Sequence, residues 1–207
     1  MTYRKIAQHL LDIGALIIRD KDNLFTWASG IRSPIYCDNR LTMSFPVVRD
    51  AIAEAFAEKV KDLGDVDAIV GTATAGIAHA AYLSQKLDLP MAYVRSGAKD
   101  HGKGEQIEGI VIKGDRVVLV EDLISTGGSS LKAAKALQVA GAEVVCVLSI
   151  FTYGFSEATE AFEREGIPVW SLTDYAEVLT LAQERGLVSD EDALLLSQWS
   201  QNPRMFT

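Results

Sequence analysis

The stretch Val117–Ser130, VVLVEDLISTGGSS, sets two adjacent acids, Glu121 and Asp122, before a run of small and hydroxyl residues. The apolar residues leading into the acids read as a strand, and SSLKAAKALQVA after the run reads as a helix closed by Gly141. The loop Ile124–Ser130 therefore joins a strand's carboxyl end to a helix N-terminus. Small residues let backbone N–H groups converge there. The helix dipole adds partial positive charge, and Ser125, Thr126 and Ser129 add hydroxyl donors. That is the chemistry of a phosphate site. No Gly-Lys-Ser/Thr follows, and the glycine spacing is not that of a dinucleotide fingerprint. Carboxylates do not bind phosphate, but they accept hydrogen bonds from vicinal hydroxyls, as on a ribose. Acids beside a phosphate cradle thus point to a ribose phosphate, its 5′-phosphate on the loop and its diol on Glu121 and Asp122. The bland alternative is a capped helix start with solvated acids.

Three further stretches carry chemical potential. GTATAGIAH, Gly71–His79, is a second strand-to-helix loop of small residues whose N–H groups can hold another phosphate group or simply make a tight turn. YVRSGAKDHGKGEQ gathers Arg95, Lys99, His101 and Lys103 in an otherwise acidic chain, on a loop made pliable by Gly97, Gly102 and Gly104. Cations on such a loop suit a lid that closes over an anionic ligand, although Asp100 and Glu105 dilute the charge. FTWASGIRSPIYCDNR offers aromatic faces that can sandwich a planar ring, or serve as ordinary core. His9 and His79 sit among apolar residues and read as packed or surface side chains rather than metal ligands. Cys37 and Cys146 match no metal-ligand spacing and read as free thiols.

The elements that must position these residues follow from periodicity. Helices are expected over Tyr3–Gly14 and from Pro46 to about Leu63. After that, DAIVGT, PMAYVR, RVVLVED, EVVCVLSIF and PVWSL read as buried strands alternating with helices, with two helices at the end, the second capped at Ser189. SGAKDHGKGEQIEG reads as one long loop. This is an α/β pattern: a mostly parallel central sheet with helices on both faces, in a single unit over 1–207. Residues 1–65 alternate less regularly and are expected to form an N-terminal cap or hood, with the core at about 66–175. Ligands should bind beyond the carboxyl ends of the strands. A net charge of −8 over 207 residues argues against nucleic acid as a partner. No apolar run is long enough to cross a bilayer and the N-terminus lacks signal-peptide features, so no membrane association and a cytoplasmic protein are expected.

Together these stretches resemble a known family. VVLVEDLISTGGSS is similar to the phosphoribosyl pyrophosphate signature of the type I phosphoribosyltransferases. YVRSGAKDHGKGEQIEG and FTWASGIRSPIYCDNR are similar to segments of the orotate phosphoribosyltransferase family. The resemblance runs from Gly14 to the strand near Ile150. It implies the type I fold and transfer of ribose 5-phosphate from phosphoribosyl pyrophosphate to orotate, giving orotidine 5′-phosphate and pyrophosphate in pyrimidine synthesis. By resemblance, Glu121 and Asp122 hold the ribose hydroxyls, and Leu123, Ile124, Ser125, Thr126, Gly127, Gly128 and Ser129 surround the 5′-phosphate. Thr72, Ala73 and Thr74 form the pyrophosphate loop. Arg95, Lys99 and His101 close on the pyrophosphate in the neighbouring subunit's site, which implies a homodimer. Lys99, His101 and Asp122 are the implied catalytic groups, and Ser125, Tyr36 and Arg32 the implied orotate contacts. Mg²⁺ is implied near Glu121 and Asp122, held mainly by substrate. The chain departs from the family's frequent pattern at Ala28, Ala75, Ser96 and Tyr153, where many members carry basic residues, which leaves the orotate carboxylate without its usual partner. Alternatives are a purine-base transferase of the same type or, further off, a regulator that senses phosphoribosyl pyrophosphate.

Overall fold

The computed structural model describes residues 2–20, 22–27, 30–97 and 106–206. The chain opens with helix α1 (Thr2–Asp12) and four short strands in two antiparallel pairs. Strand β1 (Leu16–Ile18) pairs with β4 (Ile35–Cys37), and β2 (Phe25–Thr26) pairs with β3 (Arg32–Ser33). A 3-10 turn (Asn39–Ser44) leads to α2 (Pro46–Asp62), which starts with proline where its missing N–H costs nothing. Then come β5 (Ala68–Thr72), α3 (Ala75–Leu87), β6 (Met91–Val94), β7 (Ile107–Glu108), β8 (Arg116–Ile124), α4 (Gly128–Val139), β9 (Glu143–Thr152), α5 (Ser156–Glu165) and β10 (Val169–Asp174). Helices α6 (Tyr175–Glu184) and α7 (Asp190–Gln201) close the chain.

The central sheet runs β10-β9-β8-β5-β6-β7, parallel except for β7. Strand side chains alternate between faces, and the core divides accordingly. Ile69, Val118, Val120 and Leu148 face a cluster with α1, α2, α3, α6 and α7, while Val70, Val117, Leu119 and Val147 face one built with α4 and α5. Both faces are covered, which is why these strands are apolar almost throughout. Each large side chain such as Phe56, Leu119 or Phe162, fully buried here, contributes about 1.5–3 kcal/mol of transfer energy.

Two elements differ from the expectation. Ile107–Glu108, expected in a loop, forms the antiparallel edge strand β7, with Val94 opposite Ile107. Two residues are too few to show alternation. Strand β8 does not stop at Asp122 but continues to Ile124, because Leu123 and Ile124 pair with Phe151 and Thr152 of β9. The two acids therefore lie inside the strand rather than at its very end. The N-terminal pieces are pinned by the C-terminus: buried Trp199 of α7 donates its indole N–H to the Arg32 carbonyl at 3.0 Å.

Candidate active site

Beyond the middle of the sheet, the carboxyl end of β8 meets residues of β2 and β4 across a shared cleft, where the open-sheet rule places a ligand. At the end of β8, Ser125–Gly127 turns into α4. Gly127 has φ +78°, and a Cβ there would meet the Phe162 ring at 2.8 Å, so the turn demands glycine. No side chain caps α4, which leaves the start of this helix to an incoming anion.

Glu121 is buried. Its carboxylate accepts hydrogen bonds from the hydroxyls of Ser130 at 3.0 Å and Ser129 at 3.3 Å, and from the backbone N–H of Asp122 at 3.1 Å. Burial, with the neighbouring Asp122 charge, pushes its pKa well above the ordinary carboxylate range. Burial also raises Asp122, against hydrogen bonds from Glu121 and the backbone and the attraction of Arg40. The pair is thus poorly solvated for two negative charges, and donors such as vicinal hydroxyls would relieve both. The Asp122 carbonyl receives a hydrogen bond from the Asn39 carboxamide at 2.7 Å.

Beside the acids lies a cleft of ≈ 290 Å³ lined by Thr26, Trp27, Tyr36, Cys37, Leu123, Ser125 and Tyr153. Its aromatic wall is braced from behind. Trp27 lies 4.8 Å from Tyr153 between ring centroids, Tyr153 stacks on Phe155 at 5.4 Å and 15°, and Trp199 meets these rings edge-on. Leu123 and Ser125 belong both to this wall and to the phosphate segment, so cleft and cradle are contiguous.

The loop Thr72–Thr74 joins β5 to α3, with the Ala73 N–H on the Val94 carbonyl at 2.8 Å and a cis Ala73–Thr74 peptide. The buried Thr72 hydroxyl has no hydrogen-bond partner among the described residues. Gly71 and Gly76 let α3 press against β5 and β8: a Cβ on Gly71 would lie 2.8 Å from Ile77 Cα. Arg95, just past β6, pairs with Glu108 of β7 at 3.6 Å.

The structure therefore brings together Glu121, Asp122, Leu123, Ile124, Ser125, Thr126, Gly127, Gly128, Ser129 and Tyr36. Thr72, Ala73 and Thr74 end the neighbouring strand. Arg32 is not in the cleft lining; its side chain is exposed and its carbonyl serves Trp199. Lys99, His101, Lys103, Ala28 and Ser29 lie outside the described residues. Asn39 and Ser130 lie in stretches that the sequence reading quoted, but neither was singled out, since nothing in their spacing marks a contact with the acids. Thr26, Trp27 and Cys37 were signalled only by the aromatic stretch they share with Tyr36.

The phosphoribosyl transferase domain family matches residues 45–164, from α2 to all but the last residue of α5. Among curated proteins, the orotate phosphoribosyltransferase of Fusobacterium nucleatum subsp. nucleatum is 56% identical over 204 residues, which is 98% of this chain and 97% of that protein. The chain belongs to the orotate phosphoribosyltransferase family. Orotate phosphoribosyltransferases also appear among solved structures. That of Aeropyrum pernix superposes with a TM-score of 0.77 at 31% identity over 89% of this chain and 99% of that one. That of Mycobacterium tuberculosis in complex with 5-phospho-alpha-D-ribosyl 1-diphosphate superposes with a TM-score of 0.65 at 25% identity, covering 84% and 97%. The architecture is thus that of the phosphoribosyltransferases, with a six-stranded, mostly parallel sheet.

Proposed function

We propose that this chain transfers ribose 5-phosphate from phosphoribosyl pyrophosphate to orotate, forming orotidine 5′-phosphate and pyrophosphate for pyrimidine synthesis. The observation that carries this reading is the shared wall. Leu123 and Ser125 line a ring-sized aromatic cleft and continue directly into the phosphate loop. A ring in that cleft is held next to a ribose whose 5′-phosphate rests at the start of α4.

In the reaction, the N1–C1′ bond forms and the bond between C1′ and the pyrophosphate oxygen breaks. The electron pair leaves with pyrophosphate, and orotate's N1 proton goes to solvent. Asp122 and Glu121 accept from the ribose hydroxyls and favour positive charge on the ring. The Thr72 hydroxyl and the N–H of Thr74 serve the pyrophosphate side, while the Ala73 N–H stays with the Val94 carbonyl. Tyr36, Thr26 and Ser125 supply the hydroxyls nearest the ring. Arg95, Lys99 and His101 act from the partner subunit of a homodimer, stabilise charge on the leaving group and exclude water; losing one such cation costs on the order of 10²–10³ in rate.

Two side-by-side carboxylates fit a magnesium ion held mostly by substrate oxygens and water. Among the described residues no three His, Cys, Asp or Glu side chains converge as a cage. When bound, magnesium neutralises charge on the pyrophosphate. No helix of the described residues is long and apolar enough to cross a membrane, which suits a cytoplasmic location.

Base competition tests the assignment. Orotate should be consumed in preference to guanine, hypoxanthine and xanthine; faster turnover of any purine would overturn it.

A further inference from the structure

The 3-10 turn Asn39–Ser44 is tied by side-chain hydrogen bonds to the acid-bearing strand β8 and to α3. Asn39 is 1% exposed. Its carboxamide donates to the Asp122 carbonyl at 2.7 Å, and its Oδ1 accepts the Cys37 thiol at 3.2 Å. Thr42, also buried, donates its hydroxyl to the Asn39 carbonyl at 2.5 Å. That uses the one hydroxyl proton, so the His79 Nε2, 3.3 Å from Thr42 Oγ1, must be the donor in their contact. Burial pulls its pKa down to about 4, so the ring is neutral near pH 7 and a donating Nε2 makes it the Nε2–H tautomer. His79 rides on α3, the helix that follows the Thr72–Thr74 loop.

The segment carrying the acids needs such a brace. Strand β5 pairs with β8 only as far as Val120, whereas β8 continues through Glu121 and Asp122 paired with β9 alone. One flank of the acid-bearing segment thus lacks a strand neighbour, and Asn39 supplies a hydrogen bond to its peptide. Cys37, the other partner of Asn39, lines the base cleft.

We infer that Asn39 is a positioning residue for catalysis: it fixes the Asp122 peptide so that the carboxylate meets the ribose diol, and it links that acid to the wall of the base cleft. This rests on the reading that Asp122 binds the ribose.

The test compares Asn39→Ala, Asn39→Asp, Thr42→Val and Asp122→Asn in the full chain, with phosphoribosyl pyrophosphate affinity measured by calorimetry without orotate. Asn39→Asp keeps an acceptor for Cys37 but loses the donor to Asp122. Leaving a buried carbonyl unpaired shifts an equilibrium on the order of tenfold. Both Asn39 variants should therefore weaken binding about tenfold while remaining folded, and Thr42→Val should lower the melting temperature without a comparable loss of affinity. Normal affinity in the Asn39 variants beside a weakened Asp122→Asn would overturn the inference and spare the site. Normal affinity in Asp122→Asn would overturn the site reading itself. Failure of both Asn39 variants to fold, or an equal loss of affinity in Thr42→Val, would make the residue structural and sink the proposal.

Discussion

Gly71→Ala puts the packing of α3 under direct strain. The added methyl would lie 2.8 Å from Ile77 Cα, 3.1 Å from Ala80 Cβ and 3.1 Å from the Gly76 carbonyl oxygen. Comfortable carbon–carbon contact is about 3.5–4.0 Å, so α3 must retreat from β5 by roughly half an ångström or more. None of the three atoms is the end of a flexible side chain. Alanine should gain about 0.5–1 kcal/mol over glycine in a strand, but overpacking a rigid wall costs about 1–3 kcal/mol. The net change is destabilising by about 1–2 kcal/mol, which for a domain of this size lowers the melting temperature by roughly 2–8 °C. Because Thr72–Thr74 spans β5 and α3, the same shift should raise the KM for phosphoribosyl pyrophosphate more than that for orotate. Gly128→Ala is the control, since a Cβ there meets nothing within 4 Å; its melting temperature should not fall. Thermal unfolding and steady-state kinetics read both effects. A Gly71→Ala protein with wild-type melting and wild-type KM would refute the argument that these glycines set the loop.

Other outcomes follow from the same geometry. The folded His79 has a pKa of about 4, below the ordinary 6.5, because burial disfavours its charged form. The unfolded chain therefore takes up a proton before the folded one does. Stability should be fully present above about 6.5 and lost as pH falls toward 4, by on the order of 3 kcal/mol. Urea midpoints across that window should fall less steeply for His79→Gln than for wild type; parallel curves would contradict the assignment. Trp199→Ala should cost about 3–5 kcal/mol, through the cavity it leaves and the lost hydrogen bond to Arg32, and should raise the KM for orotate by loosening Trp27. An unchanged urea midpoint would show that α7 does not pin the hood. Lys99→Ala and Asp122→Asn subunits, each inactive alone, should regain up to about a quarter of wild-type activity after mixing, because half the dimers then carry one intact site. Persistent inactivity after verified exchange would argue against shared sites.

Much of this was legible in the chain itself. Buried strands between amphipathic helices declare a doubly covered parallel sheet, and the small residues of VVLVEDLISTGGSS declare the turn from β8 into α4. The edge strand at Ile107–Glu108 was not legible, since pairing with β6 defines it rather than any internal pattern. Nor was the role of Trp199, whose partner Arg32 lies 167 residues away in sequence. Asn39 illustrates the deeper limit. A single polar residue in an irregular segment carries no periodic signal, and only the fold shows that its amide meets the Asp122 carbonyl. Among the described residues Arg32 does not line the cleft, and a cation near a motif in sequence need not point into it in space.

The most direct measurement follows orotate absorbance with phosphoribosyl pyrophosphate and Mg²⁺, omitting each in turn. Loss of orotate only when both are present, with pyrophosphate released in equal amount, is the predicted result. No loss of orotate from a folded protein that still binds phosphoribosyl pyrophosphate would contradict the account and leave the cradle serving another base.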